Sequence, residues 1–87
     1  MGFRKYRGIN LPYNKQGQIY FTLVNYKGQN KRTRDRIDRL IRQAAGEHEA
    51  ALRAFVVDGR SAASVSVEYY ISERWLYVMR KRLYESW

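Results

Sequence analysis

The chain has no cysteine, which removes disulfides, thiolate nucleophiles and the common zinc fingers together. The absence suits a reducing compartment. Histidine occurs once, at His48, so no second imidazole exists to share a metal ion or complete a catalytic pair. No glycine-rich phosphate loop precedes a helix. These absences argue against an enzyme, and no metal or cofactor is expected. Apolar runs are short: none approaches the roughly 20 residues needed to cross a bilayer. No signal-peptide core is visible. A cytoplasmic, nucleoid-associated protein without a membrane partner is the expectation. The only proline, Pro12, falls within residues 1–17 together with three of the six glycines.

Acidic residues are also few, eight against seventeen basic ones, and twelve of the seventeen are arginine. Arginine's planar fork suits phosphate oxygens and guanine edges better than lysine does. Residues 1–45 carry eleven basic and two acidic side chains, residues 46–73 two and five, and residues 74–87 four and one. Two basic ends thus flank an acidic middle, which predicts a surface with a sided field. Charge alone fits DNA, RNA, anionic lipid or an acidic protein. The 87 residues make one domain, and with 45% apolar residues its core is small.

Residues 1–17 read as an irregular basic arm interrupted by aromatics, followed by a single helical domain over 18–87. Residues 18–26 are ambiguous. Alternation of Ile19, Phe21 and Leu23 favours a strand, whereas the spacing of Ile19 with Leu23 and of Tyr20 with Val24 permits a helix. A lone strand would lack a partner, so helix is preferred. Residues 30–45 form a clearer helix: Thr33, Ile37, Leu40, Ile41 and Ala44 make one stripe, and Gly46 is placed to end it. Asp35–Arg39 and Asp38–Arg42 are i, i+4 pairs of favourable orientation. Another helix is expected over about 47–57, with His48, Leu52, Phe55 and Val56 on its apolar stripe and the Asp58–Gly59 turn after it. Ser61 and Ser72 are suited to cap two more helices, the second carrying Leu76, Met79 and Leu83 at i, i+3 and i+7. The fold class is therefore all-α, a small bundle of four to five helices.

Residues 61–85 have the pattern of a helix-turn-helix. Such a unit needs an apolar residue in its first helix, a small one where the helices cross, an apolar residue in the turn and two more in the second helix. Val65, Ser66, Ile71, Leu76 and Met79 fill these places in order, although Tyr70 stands where glycine is common. With Leu76, Met79 and Leu83 turned inward, Glu73, Arg74, Tyr77, Lys81 and Arg80 are expected to face outward. Arg74 suits a guanine edge and Tyr77 a thymine methyl or a phosphate, while Arg80, Lys81 and Arg82 are placed for phosphates. The competing reading is a solvated helix end in which cations favour the dipole. Backbone contacts are also expected from Arg4, Lys5 and Arg7, as a minor-groove arm, and from Lys31, Arg32 and Arg34, unfavourably placed at a helix start. Tyr69, Trp75 and Tyr84 read as core rather than as stacking platforms. Trp87 either folds back on the core or marks a contact with a partner.

The stretch VSVEYYISERWLYVMRKRLYESW resembles the recognition segment of small sigma-factor region-4-like regulators from phages and mobile elements of Firmicutes. Tyr70-Ile71-Ser72-Glu73 leading into Leu76-Tyr77, then Met79 to Arg82 and Tyr84-Glu85, carry the likeness. The preceding IYFTLVNYKGQNKRTRDRIDRLI is similar to the leading helices of such chains. The resemblance implies a bacterial or phage-encoded, all-helical transcription regulator that binds duplex DNA. Arg74, Tyr77 and Lys81 would lie on its recognition helix. A homodimer or a contact with RNA polymerase is expected, because one module of this size binds modestly. Two alternatives stand beside it, a small structured RNA-binding protein and a protein-interaction adaptor built on the same scaffold.

Overall fold

The computed structural model describes residues 3–87; Met1 and Gly2, the first two residues of the expected arm, lie outside them. Five α-helices and no strand occur among the described residues: α1 Tyr13–Val24, α2 Lys31–Ala45, α3 Glu49–Val56, α4 Ala62–Tyr69 and α5 Glu73–Glu85. Single 3-10 turns, Tyr26–Gly28 and Gly46–His48, lead into α2 and α3.

Local chemistry sets most of these boundaries. Side-chain oxygens of Asn30, Ser61 and Ser72 accept hydrogen bonds from the amides of Thr33, Ser64 and Trp75 at 2.9, 3.1 and 3.1 Å. Each satisfies an N–H that the first helical turn would otherwise leave unpaired. Gly46 ends α2 at φ 56°, a conformation that costs glycine little. Tyr70 ends α4 in the left-handed region at φ 54°, ψ 45°, where a side chain is strained.

The core is built where the helical stripes meet. Ile19 and Leu23 of α1, Ile37 and Ile41 of α2, Leu52 of α3, Val65 of α4, and Leu76, Met79 and Leu83 of α5 are fully buried. Helix α2 packs on α3 and α5, and α3 also packs on α4 and α5. Tyr84 joins this core, but Tyr69 and Trp75 do not: each is 37% exposed. The α5 phase that turns Leu76 inward rotates Trp75 by about 100° to the flank. His48 likewise stands half-exposed, 3.7 Å from Glu47, instead of on a packed stripe.

Residues 3–12 are not a loose arm. Helix α1 starts at Tyr13, with Pro12 as its N-cap at φ −66°, a value the pyrrolidine ring already fixes. Gln16, fully buried, clamps the segment before it. Its Oε1 accepts from the Tyr6 amide at 2.8 Å, and its Nε2 faces the carbonyls of Tyr6, Ile9 and Leu11 at 3.3, 3.1 and 2.9 Å. Phe3 and Ile9 are buried. Phe3 lies against Gly17, where a Cβ would stand 3.4 Å from its ring. Residues 3–12 are thus pinned across α1 and α5, and the Asn10 amide donates to Glu85 Oε2 at 2.9 Å.

One polar cluster ties the Tyr26–Gly28 turn to α2 and α3. The Tyr26 hydroxyl donates to both Asp38 oxygens at 2.8 and 3.0 Å, and Arg53 reaches Asp38 at 2.8 Å. Burial pushes the Asp38 carboxyl up, but the hydrogen bonds from Arg53 and Tyr26 and the nearby charge outweigh it and hold the pKa below its ordinary value.

Candidate functional site

Helices α4 and α5 are joined by only Tyr70, Ile71 and Ser72. The turn closes through the Ile71 amide donating to the Ser66 carbonyl at 3.2 Å. Val65, Ile71, Leu76 and Met79 are buried and Ser66 is half-buried, and the two helices pack against each other.

The opposite face of α5 is open. Glu73, Arg74, Tyr77 and Lys81 are exposed, and Val78 lies half-buried between them. The docked arm runs beside this face. Lys5, Arg7 and Ile9 from the arm, with Arg74, Tyr77, Val78 and Lys81 from α5, line one groove of about 540 Å³. No acidic side chain lines it. Two clusters some seventy positions apart in the chain therefore form a single cationic surface, which their separation in sequence did not announce. Val78 is the residue that sequence reasoning missed. Its position was readable, since it follows Arg74 by four and precedes Lys81 by three.

Arg80 requires a correction. It does not face outward but lies half-buried, its guanidinium 3.6 Å from the Tyr6 ring centroid, 5.1 Å from that of Phe55 and 5.2 Å from that of Tyr77. The reason is helical phase: Arg80 follows Leu76 by four residues and precedes Leu83 by three, so it shares their inward side. Arg82 is exposed but turns to the other flank, 4.9 Å from the Trp75 ring. Arg4 is exposed and does not line the groove.

The cations of α2 form a separate group. Lys31 pairs with Asp35 at 2.8 Å, and Arg32 borders a different hollow with Asp35, Arg36 and Arg39. Arg34 is half-buried, its Nε shielded and without a partner. Arg36 stacks on Trp87 at 5.0 Å, which places this part of α2 near the far end of α5, roughly 20 Å along the helix from Arg74. Trp87 folds back against the core.

No protein-family model matches this chain, and no curated protein or solved structure shows a significant match to it.

Proposed function

We propose that the protein is a sequence-specific duplex-DNA-binding regulator of transcription, with α4 and α5 as its helix-turn-helix. One observation carries the reading: the open face of α5 is continuous with Lys5 and Arg7 of the arm across a groove free of acidic side chains. A helix of this diameter fits the major groove of B-DNA. In that pose Arg74, near the start of α5, addresses a guanine edge, and Tyr77 and Val78 offer apolar contact to thymine methyls. Lys81, Lys5 and Arg7 take phosphates and set the register. Glu73, in the first turn of α5, selects against a phosphate there or accepts from a cytosine amino group. Arg80 stabilises the arm instead of touching bases. The likeness of residues 65–87 to sigma region-4-like regulators supports the same role, with RNA polymerase or a second copy supplying affinity that one module lacks.

Fluorescence anisotropy on duplex pools, beside matched RNA, tests this. A duplex subset should bind tightly at ~150 mM salt and lose about 1–3 kcal/mol with Arg74→Ala. Equal binding to RNA and DNA that disappears with salt and ignores Arg74 overturns the proposal. In that case the adaptor reading leads, favoured by Val67 and Tyr70, which are 77% and 96% exposed on α4 and its turn.

A further inference from the structure

One cation that lines the groove has no carboxylate partner. Arg80 takes part in none of the ion pairs among the described residues. Its Nε is shielded from solvent and makes no hydrogen bond. Three aromatic rings surround the guanidinium, and burial pulls its pKa down, with nearby tyrosines only partly opposing this. Ring faces attract a cation, but they do not replace the hydrogen bonds it gave up on leaving water. The shielded Nε is beyond a groove ligand's reach, but a partly desolvated guanidinium that lines an open groove without a carboxylate partner favours an anion there.

The surroundings narrow the choice of anion. Lys5, Arg7, Arg74 and Lys81 stand around the same groove, enough charge for a polyanion and more than one carboxylate needs. Between these cations the lining is apolar and aromatic, with Tyr6, Ile9, Tyr77 and Val78. Tyr77 is 46% exposed, leaving ring surface for another flat group to cover. A volume of about 540 Å³ falls in the range of small-molecule sites. Charge alone would serve any polyphosphate, whereas the aromatic wall adds a place for a base.

We propose that this groove binds a nucleoside polyphosphate, with the phosphates on Arg80 and the surrounding cations and the base against Tyr77. Binding itself does not depend on the DNA reading. Its consequence does: because Arg74, Tyr77 and Lys81 serve both ligands, the nucleotide would displace duplex DNA and regulate it.

The test is calorimetric titration of the full chain with ATP and with GTP, without DNA and at ~150 mM salt. Tripolyphosphate and adenosine are run alongside. At least one nucleotide should bind about tenfold more tightly than tripolyphosphate, the contribution expected of one stacked base. Tyr77→Leu should bring the ratio of nucleotide to tripolyphosphate affinity down to about one. Arg80→Gln should weaken nucleotide and tripolyphosphate together. Because that variant also removes the stacking on Tyr6, the wild-type Arg80 Nε–H resonance is followed in parallel and should shift on titration. Equal affinity for nucleotide and tripolyphosphate, no binding at millimolar ligand, or an unmoved Arg80 resonance overturns the proposal. A competition arm separates the two readings. Nucleotide binding without displacement of duplex keeps the site and removes DNA from the groove. Duplex binding with no nucleotide binding removes the site and leaves the DNA reading standing.

Discussion

Replacing Gln16 with glutamate changes one NH2 to an oxygen, nearly without altering shape, and the structure says this should be severe. Oε1 would still accept from the Tyr6 amide at 2.8 Å. The other position would turn from donor to acceptor while facing the Tyr6, Ile9 and Leu11 carbonyls at 2.9–3.3 Å. Two donated hydrogens are lost and a charge is placed at a fully buried site. Leaving a buried polar group unsatisfied costs about 1–3 kcal/mol, and a charged one more. Peeling the arm away relieves the repulsion but exposes Phe3 and Ile9, so escape is not cost-free. A loss of about 3 kcal/mol follows, which for a domain of this length lowers Tm by about 12–24 °C. Thermal unfolding followed by circular dichroism at neutral pH measures it. Protonating the new carboxyl restores a donor, so the gap to wild type should narrow as pH falls towards 5. Amide exchange at Tyr6 should accelerate in step. A Tm within about 2 °C of wild type, the effect of less than half a kcal/mol, would refute the claim that Gln16 holds the arm.

Other perturbations test neighbouring links. Asp38 has a depressed pKa, so its contribution to stability is complete above its unfolded value of about 4 and is lost as pH falls through the lower folded one. Acid melts should show this loss in wild type, and Asp38→Asn, with Tm lowered at pH 7, should flatten it. Tyr70→Gly should raise stability by about 0.5–1 kcal/mol, since relief of left-handed strain exceeds glycine's entropy cost and a 96% exposed ring has little packing to lose; chemical denaturation reads the gain. Lys5→Ala and Arg7→Ala should each lower the slope of log affinity against log salt for duplex DNA by about one without changing sequence preference. Val78→Ser should cost less total affinity than Arg74→Ala and relax selection at a thymine, which binding to single-substitution duplexes measures.

What the sequence disclosed, it disclosed through short-range chemistry. Asn30, Ser61 and Ser72 mark helix starts because each cap bonds an amide only three residues away. The stripes of α2 and α5 are visible because burial repeats with the helical turn. The ordered arm was hidden, since its evidence lies in pairings such as Tyr6 with Arg80 and Asn10 with Glu85, which exist only after the chain has folded. Gly17 misled in the same way: read alone it suggests a loop, but inside α1 it gives Phe3 room to lie against the helix.

The two departures from pattern in α5 are therefore the informative ones. The phase set by Leu76, Met79 and Leu83 predicts a polar outer face and an apolar inner one, yet Arg80 is turned inward and Val78 lies among the exposed cations. Each exchange costs stability by itself: one desolvates a charge, the other leaves apolar surface partly wet. Both border the same groove, which they share with Arg74, Tyr77 and the arm. Violations scattered over a fold need no common cause, but two within one concavity are what a ligand-binding surface produces. An anion on Arg80 and an apolar group on Val78 would reduce both costs at once, which is what the proposed ligand supplies.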